Sequence, residues 1–277
     1  MKISLIMATI NREKEIEEFI LSLIEQTYEN YELIIVDQNS HDNLGKLIEK
    51  YKERVSIVYL KSTPGLSKSR NVGLNVATGD IIGFPDDDCT YDASTLEKVI
   101  KFFNQNNHYS IFTGQCQDKD GQIVAGNFSN KRCDLDKGNV WECGVSVTLF
   151  LKKELLKKVK GFDEELGVGS GTVYGSGEET DFLLRCLEAG GKGMYDPLFI
   201  VYHPNPVLEY NDKTFKRAYL YGAGYGRVLK KHTYSIGKKT NCIIRPFIAI
   251  FIYVFNVKKS KYYYYSLKGR VKGLFSS

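Results

Sequence analysis

The segment most informative about the fold of this 277-residue chain is IIGFPDDD, at residues 81–88. Its first four residues form a short apolar run that is typical of a buried strand, and Pro85 ends the run. Three adjacent carboxylates follow, from Asp86, Asp87 and Asp88, and they repel one another unless a cation is bound. Divalent cations take oxygen ligands and often share them with substrate phosphates. The segment therefore predicts a divalent-metal site after a strand, and the alternative is a solvated acidic turn.

The residues around this segment alternate between predicted strands and helices. Short apolar runs predict buried strands, at 3–8, 33–36, 55–60 and 81–84. Helical periodicity predicts helices between and after them, at 16–24, 44–51 (with Asp42 as its cap), 66–77 and 94–103. This alternation predicts an α/β fold with a mostly parallel central sheet and helices on both faces.

Polar side chains follow three of these strands, and ligands of such sheets bind at the carboxyl ends of the strands. Thr9, Asn11 and Arg12 follow the first strand, and the aspartate triplet follows the fourth. Asp37 follows the second strand, where it could accept a hydrogen bond from a nucleotide base or ribose. A plain turn at Asp37 is the alternative.

Two basic residues, Lys68 and Arg70, lie in the predicted helix before the aspartates. They could meet a diphosphate, for which the planar guanidinium of Arg70 is suited to a bidentate contact. A basic pair on a helix is also common on any solvated surface, so this pair alone is a weak indication.

The second half of the chain departs from regular alternation. Apolar patterning predicts strands at 111–117, 122–125 and 145–151, and a helix carrying Phe182 to Leu187. Residues 167–177 contain five glycines, a composition that suits an active-site loop rather than a core element.

Two acidic residues, Glu178 and Glu179, open the helix that follows the glycine-rich segment. Acids in a first helical turn complement the helix dipole, which is a common structural role. One of them could instead act as a general base toward an incoming hydroxyl. His203 follows an apolar run and offers an imidazole as a further metal ligand, although single histidines are more often structural.

The charge of the chain is divided unevenly. Residues 213–277 contain fifteen Lys or Arg and no Asp or Glu, whereas residues 1–212 contain 23 basic and 33 acidic residues. This division predicts a catalytic domain at 1–212 and a basic, aromatic helical extension at 213–277. An apolar stretch at 247–255 favours an anionic membrane surface over nucleic acid as the partner of the extension.

The expected location is cytoplasmic, peripheral at the inner face of the cell membrane. No run of 18 apolar residues is present, and the N-terminus reads as a strand rather than a signal peptide. None of the six cysteines forms a C-x-x-C pair, which favours reduced thiols.

Taken in order, these motifs resemble the inverting family-two glycosyltransferases of GT-A fold over about the first 210 residues. The start with Thr9, Asn11 and Arg12 is similar to that of the family, and Asp37 falls where the family contacts the nucleotide base. The aspartate triplet falls at the D-x-D motif, so the resemblance implies that Asp86 and Asp87 face the donor. It also implies that Asp88, together with Asp86, binds Mn²⁺ or Mg²⁺.

The resemblance also assigns roles to the later residues. His203 falls where GT-A enzymes often place a late metal-binding histidine. The family carries a Glu-Asp pair whose second acid is the catalytic base, and at this position the chain has Glu178 and Glu179. The second acid is therefore Glu179, a departure from the family that leaves Glu178 as the alternative base.

The function implied is metal-dependent, inverting transfer of a sugar from a nucleoside-diphosphate sugar, for which we expect a UDP-sugar. The acceptor would be a hydroxyl of a glycan or of a lipid-linked acceptor in cell-surface polysaccharide synthesis. The alternatives are a non-catalytic nucleotide-sugar-binding scaffold and a sugar-phosphate nucleotidyltransferase. The latter would need a glycine-rich basic loop after the first strand, and a dehydrogenase would need G-x-G-x-x-G there; Thr9 to Arg12 contain no glycine.

Overall fold

A mixed sheet is built from strands that lie between residues 3 and 202. The computed structural model describes residues 1–41, 44–124, 126–205 and 209–276, and within them eight strands form one sheet. The strands are β1 Ile3–Thr9, β2 Tyr31–Asp37, β3 Ile57–Lys61, β4 Ile81–Gly83, β5 Ile111–Gln117, β6 Cys133–Asp134, β7 Phe150–Lys152 and β8 Gly193–Tyr202. Asp42, the predicted helix cap, lies outside the described residues.

Nine α-helices occur among the described residues. They are α1 Lys14–Ile24, α2 Gly45–Tyr51, α3 Leu66–Val76, α4 Thr95–Gln105, α5 Val140–Cys143, α6 Glu178–Glu188, α7 Asp212–Lys231, α8 Ile236–Ile252 and α9 Val257–Phe275. Two short 3₁₀ helices, Ser146–Thr148 and Lys153–Lys157, flank β7. Among the described residues, no helix is both long and apolar enough to cross a membrane.

The sheet order is β3-β2-β1-β4-β7-β5-β8-β6. Four of the seven pairings among the described strands are parallel, which confirms the prediction of an α/β fold with a mostly parallel sheet. Leu5 and Met7 of β1 pack with Phe19 and Leu23 of α1 in one fully buried cluster. The apolar stripe of α1 is therefore what holds this helix against the sheet.

Strand register brings the polar strand ends together. Thr9 pairs with Asp37 across β1 and β2, and Asp37 pairs with Lys61 across β2 and β3. An isolated bridge between Thr90 and Tyr202 places the segment after β4 beside the end of β8. The aspartate triplet and His203 consequently meet at one edge of the sheet.

One strand prediction was only partly correct, and another was wrong. Of the strand predicted at 145–151, only Phe150 and Leu151 belong to a strand, β7. Ser146–Thr148 form a 3₁₀ helix instead, in which the Thr148 hydroxyl donates to the carbonyl oxygens of Val145 (3.1 Å) and Gly114 (3.1 Å). The strand predicted at 122–125 is reduced to an isolated bridge between Gln117 and Ile123, since Gln122 is drawn into a turn by Asp118; Ala125 lies outside the described residues.

The described residues group into two compact units. The first contains the whole sheet and comprises Met1–Pro64, Lys68–Gly161 and Phe182–Asn205. The second comprises Gly65–Ser67, Phe162–Asp181 and the described part of Pro206–Ser277. It holds α7, α8, α9 and the glycine-rich segment, whose Ser176 hydroxyl donates to the Tyr221 carbonyl oxygen of α7 at 3.0 Å.

The buried carboxylate of Glu32 on β2 should be a major source of stability near neutral pH. It accepts hydrogen bonds from the Lys2 ammonium (2.7 Å), the Ser4 hydroxyl and the Thr78 backbone N–H (2.8 Å). Burial alone would raise the pKa of Glu32, but these donors outweigh it and lower the pKa to about 2.

We expect Glu32→Gln to reduce the free energy of unfolding by about 2–3 kcal/mol at neutral pH, measured by urea unfolding. A depressed carboxyl pKa stabilises the fold above the unfolded-state value, and this contribution disappears as pH falls from about 4.5 toward 2. The difference between variant and parent should therefore shrink over that interval. Exposed Glu29→Gln is the control, and a pH-independent difference would contradict the charge-based explanation.

Candidate functional site

Two carboxylates and one imidazole form a cluster after β4 and β8. The ligand atoms of Asp86, Asp88 and His203 all lie within 4.8 Å of one another. The Nε2 atom of His203 is 3.1 Å from Asp88 Oδ1 and 4.0 Å from Asp86 Oδ2. The three predicted metal ligands are thus brought together, and the spacing would let their oxygen and nitrogen atoms bind one divalent ion.

The orientation of His203 is set by its other ring nitrogen. Nδ1 lies 2.8 Å from the carbonyl oxygen of Pro204, which fixes Nδ1 as the donor and points Nε2 at the aspartates. Burial disfavours the charged imidazole, but the hydrogen bond and charge of Asp88 outweigh it and raise the pKa of His203. Burial also opposes ionisation of Asp88, whereas His203 and Arg12 favour it and lower the Asp88 pKa overall.

Arg12 balances the charge of the aspartates. Its Nη1 lies 2.7 Å from Asp88 Oδ2, and its Nε lies 3.3 Å from Asp87 Oδ1. The Thr9 hydroxyl donates to Asp87 Oδ2 at 2.7 Å. Burial nevertheless raises the pKa of Asp87 to about 6, with the neighbouring aspartates adding to the increase. Thr9 and Arg12 therefore bind the triplet directly, a contact that the sequence does not reveal.

Arg70 is buried and contacts Asp86 of the same cluster. Its Nη2 lies 3.3 Å from Asp86 Oδ1 and 3.0 Å from the Ser146 hydroxyl, and its guanidinium lies over the Phe84 ring at 5.9 Å. These contacts hold the Asp86 carboxylate in position. Lys68, its predicted companion, is exposed on α3.

Asp37 lies in a dense network of donors. Its Oδ1 accepts from both the backbone N–H (2.8 Å) and the side-chain amide (2.7 Å) of Asn39, and its Oδ2 accepts from the Tyr59 hydroxyl and the Lys61 ammonium, each at 2.7 Å. Burial works against the charged form, but these donors prevail and lower the pKa of Asp37. Asn11, in the left-handed region at φ 57°, donates its N–H to Asn39 Oδ1 at 2.8 Å.

A cavity of about 560 Å³ adjoins the cluster. Arg12, Asp88 and His203 contribute to its wall, together with Lys119 and Tyr202. Asp88 and His203 therefore border a space that a substrate could enter and leave.

The acids of the first turn of α6 differ from one another in their surroundings. Glu178 is buried, and its side chain lies against Gly167: a Cβ added at Gly167 would be 3.2 Å from the carboxyl carbon of Glu178. Glu179 is half-buried, and its Oε2 is shielded from solvent with no hydrogen-bond partner among the described residues. Glu179 is therefore less buried than Glu178 as a whole residue, although the Oε2 atom of each carboxylate is shielded from solvent.

Asp181 anchors this turn to the end of α7. Its Oδ1 lies 2.7 Å from the Lys231 ammonium and 2.8 Å from His232 Nε2, and the side chains of Asp181 and His232 are both buried. Sequence reasoning missed this contact, because 51 positions separate Asp181 from His232 and nothing in the local pattern marks the histidine.

The chain is similar in sequence to known proteins over much of its length. A model described as Glycosyl transferase family 2 matches residues 4–160. An uncharacterized glycosyltransferase of Haemophilus influenzae is 28% identical over 221 residues, 75% of this chain and 67% of that protein. The minor teichoic acid biosynthesis protein GgaB of Bacillus subtilis is 30% identical over 213 residues, which are 69% of this chain but only 24% of GgaB.

Other similar proteins have named substrates or ligands. The Escherichia coli UDP-Glc:alpha-D-GlcNAc-diphosphoundecaprenol beta-1,3-glucosyltransferase WfgD is 30% identical over 156 residues, 56% of this chain and 61% of that enzyme. The structure of S. aureus TarS 1–349 in complex with UDP-GlcNAc has a TM-score of 0.63 at 19% identity, covering 96% of this chain and 90% of that one. The mannosyltransferase PcManGT of Pyrobaculum calidifontis, in complex with GDP-Man and Mn²⁺, has a TM-score of 0.63 at 16% identity, covering 99% and 87%. These two structures share the GT-A fold seen here.

Proposed function

Because this chain belongs to glycosyl transferase family 2, we propose that it moves a sugar from a nucleoside-diphosphate sugar to an acceptor hydroxyl, with inversion and with the help of a divalent ion. Family membership establishes that the protein is a glycosyltransferase. The identity of the donor, the metal dependence and the acceptor are the proposed elements.

The observation that carries the proposal is the cluster of Asp86, Asp88 and His203. Two carboxylate oxygens and one imidazole nitrogen form a donor set that suits Mn²⁺ and also accommodates Mg²⁺. A bound ion would supply positive charge against the diphosphate leaving group. The protein contributes the alignment of these ligands, through Arg12 on Asp88 and Arg70 on Asp86.

The remaining donor contacts follow from the same edge of the sheet. We assign the nucleotide base to the network around Asp37 and the diphosphate to Lys68, with Thr9, Asn11 and Asp87 shaping the site between them. UDP is the proposed nucleotide; the complex of TarS with UDP-GlcNAc supports it, while the GDP-Man complex of PcManGT makes GDP the comparison to test.

Glu179 is the proposed catalytic base. Its carboxylate would remove the proton of the acceptor hydroxyl, whose oxygen then attacks the anomeric carbon from the face opposite the leaving diphosphate. One positioned base is sufficient for this single displacement, and it inverts the configuration. The lesser burial of the Glu179 residue, compared with Glu178, supports this assignment.

The proposed acceptor is a glycan or a lipid-linked glycan of cell-surface polysaccharide synthesis. Support comes from two relatives, one named for teichoic acid biosynthesis and one named for a diphosphoundecaprenol-linked acceptor.

The direct test is release of nucleoside diphosphate from a panel of UDP-, GDP- and TDP-sugars, with Mn²⁺, with Mg²⁺ and with chelator. We expect one base to be preferred and turnover to require an ion. Binding without turnover would favour a nucleotide-sugar scaffold, and pyrophosphate release from a nucleoside triphosphate and a sugar phosphate would favour a nucleotidyltransferase. Full turnover in chelator would contradict the metal proposal.

Replacing the cation beside Asp37 should weaken donor binding selectively. We expect Lys61→Met to raise the donor KM about tenfold, because Asp37 loses its charged partner at the proposed base site. We expect kcat to change little, because that site is not where the reacting atoms lie. Steady-state kinetics with the preferred donor measure both constants. Exposed Lys52→Met is the control, and a fall confined to kcat would argue against a role in base binding.

A further inference from the structure

An apolar stripe on α8 faces solvent instead of a protein core. Its members recur at the spacing of successive helical turns, and their exposed fractions are 44% for Ile244, 50% for Phe247, 50% for Ile248, 62% for Phe251 and 65% for Ile252. A helix that packs on a core turns such a stripe inward. Here the inward positions are occupied by Cys242 and Pro246, and the larger apolar side chains point outward.

The turn between α8 and α9 extends the stripe. Val254 is 54% exposed, Phe255 is fully exposed and Val257 is 74% exposed. We call these three residues and the five of the stripe the apolar tip. A contiguous exposed patch of this kind is a mark of an interaction site.

The apolar tip rests on a fixed support within the second unit. The backbones of α7 and α9 pack directly, since a Cβ at Gly269 would lie 2.0 Å from the Tyr219 carbonyl oxygen and one at Gly273 would lie 2.0 Å from that of Ala223. The Arg270 guanidinium donates to the Cys242 carbonyl oxygen at 2.8 Å and so ties α8 to α9. The stripe is therefore held outward by the packing of the opposite face.

Basic and aromatic side chains border the apolar tip. Lys258, Lys259 and Lys261 follow the turn, and no acidic residue occurs anywhere from 213 to 277. The Lys259 ammonium lies 3.7 Å from the centroid of the Tyr253 ring, which stacks on Tyr263 at 5.5 Å. Amphipathic rings and lysines of this kind gather at the headgroup level of membranes.

We propose that the apolar tip inserts into the interface of an anionic bilayer while the bordering lysines contact lipid phosphates. The charge and the apolar character of this surface distinguish between a bilayer, a second copy of the chain and nucleic acid as the partner of the apolar tip. A second copy that pairs the same face would bring two sets of bordering lysines together, which is unfavourable even though Lys261 lies 3.8 Å from Asp212. Nucleic acid would satisfy the lysines but would bury none of the eight apolar side chains. The proposal concerns the second unit only and does not rest on the transfer reaction.

The first test is co-sedimentation of the full chain with vesicles of equimolar phosphatidylcholine and phosphatidylglycerol. We expect binding there, and about tenfold weaker binding for Phe251→Ser/Phe255→Ser and for Lys258→Glu/Lys261→Glu. Two pairs of exposed residues in the first unit provide matched controls, Ile123→Ser/Leu198→Ser and Lys98→Glu/Lys101→Glu. Binding should also fall in about 1 M salt, where the screening length is about 3 Å.

A second measurement reports insertion directly. Phe255→Trp places an indole at a fully exposed position, and its emission should shift to the blue with anionic vesicles but not with phosphatidylcholine alone. Leu198→Trp, exposed in the first unit, should not shift. The parent chain, whose single tryptophan is Trp141, gives the background to subtract.

The proposal would be overturned if the chain did not bind anionic vesicles or bound neutral vesicles equally well. It would also be overturned if Phe251→Ser/Phe255→Ser and Lys258→Glu/Lys261→Glu both bound like the parent, or if the emission of bound Phe255→Trp protein did not shift. A dimer in sedimentation velocity that Phe251→Ser/Phe255→Ser dissociates would also overturn it, by identifying a second copy as the occupant.

Discussion

Asp88→Ala should lower kcat/KM for sugar transfer by about 10³-fold or more. The carboxylate is the common partner of His203 at 3.1 Å and of Arg12 at 2.7 Å, so its loss removes one ligand and disorders the charge balance around the other two. Interactions that stabilise charge developing on a leaving group are worth this much when they act in a preorganised site. The fold should survive, since Asp88 follows β4 and is not part of the apolar core.

Activity should be measured over a range of Mn²⁺ concentrations, together with the unfolding midpoint. Asp92→Ala, an exposed carboxylate four residues away, is the matched control and should leave both unchanged. His203→Ala should lose less activity than Asp88→Ala and need more Mn²⁺ for half its maximum, because two carboxylates remain. Near-parental transfer by folded Asp88→Ala would refute the metal role of the cluster.

The cluster of Asp86, Asp88 and His203 was predictable because each residue comes soon after the end of a strand. Apolar runs place β1, β2 and β4, and the parallel arrangement of these strands brings their carboxyl ends to one edge. Asp86 and Asp88 therefore had a defined position before any tertiary contact was known. The pairing of Asp88 with His203 depends on the bridge between Thr90 and Tyr202, which no local pattern encodes.

The supporting contacts were less predictable because they are set by register and by distant partners. Lys61 reaches Asp37 through pairing of β2 with β3, and Arg70 is buried against Asp86 although its sequence context suggests a solvated helix face. The α8 stripe shows the same limit. Helical spacing identifies an apolar face from the sequence, but whether that face points inward depends on which side α9 covers.

The second large effect is expected when Glu179, the less buried of the two adjacent acids, is replaced. Glu179→Gln retains the shape of the side chain but cannot accept a proton, so we expect kcat to fall by about 10²–10⁴-fold, the usual contribution of a general base. Donor affinity, measured by nucleotide titration with Mn²⁺, should be nearly unchanged because the proposed contact is with the acceptor.

The buried neighbour supplies the comparison that identifies the base. Glu178→Gln keeps the size of the buried side chain that lies against Gly167, so it should cost much less activity than Glu179→Gln. Any loss that comes from a weakened fold would appear as a matching change in the unfolding midpoint. Glu179→Asp keeps a carboxylate and should recover part of the lost turnover, which a purely structural role of Glu179 would not predict. If Glu178→Gln were inactive with an unaltered unfolding midpoint while Glu179→Gln remained active, the base would be Glu178.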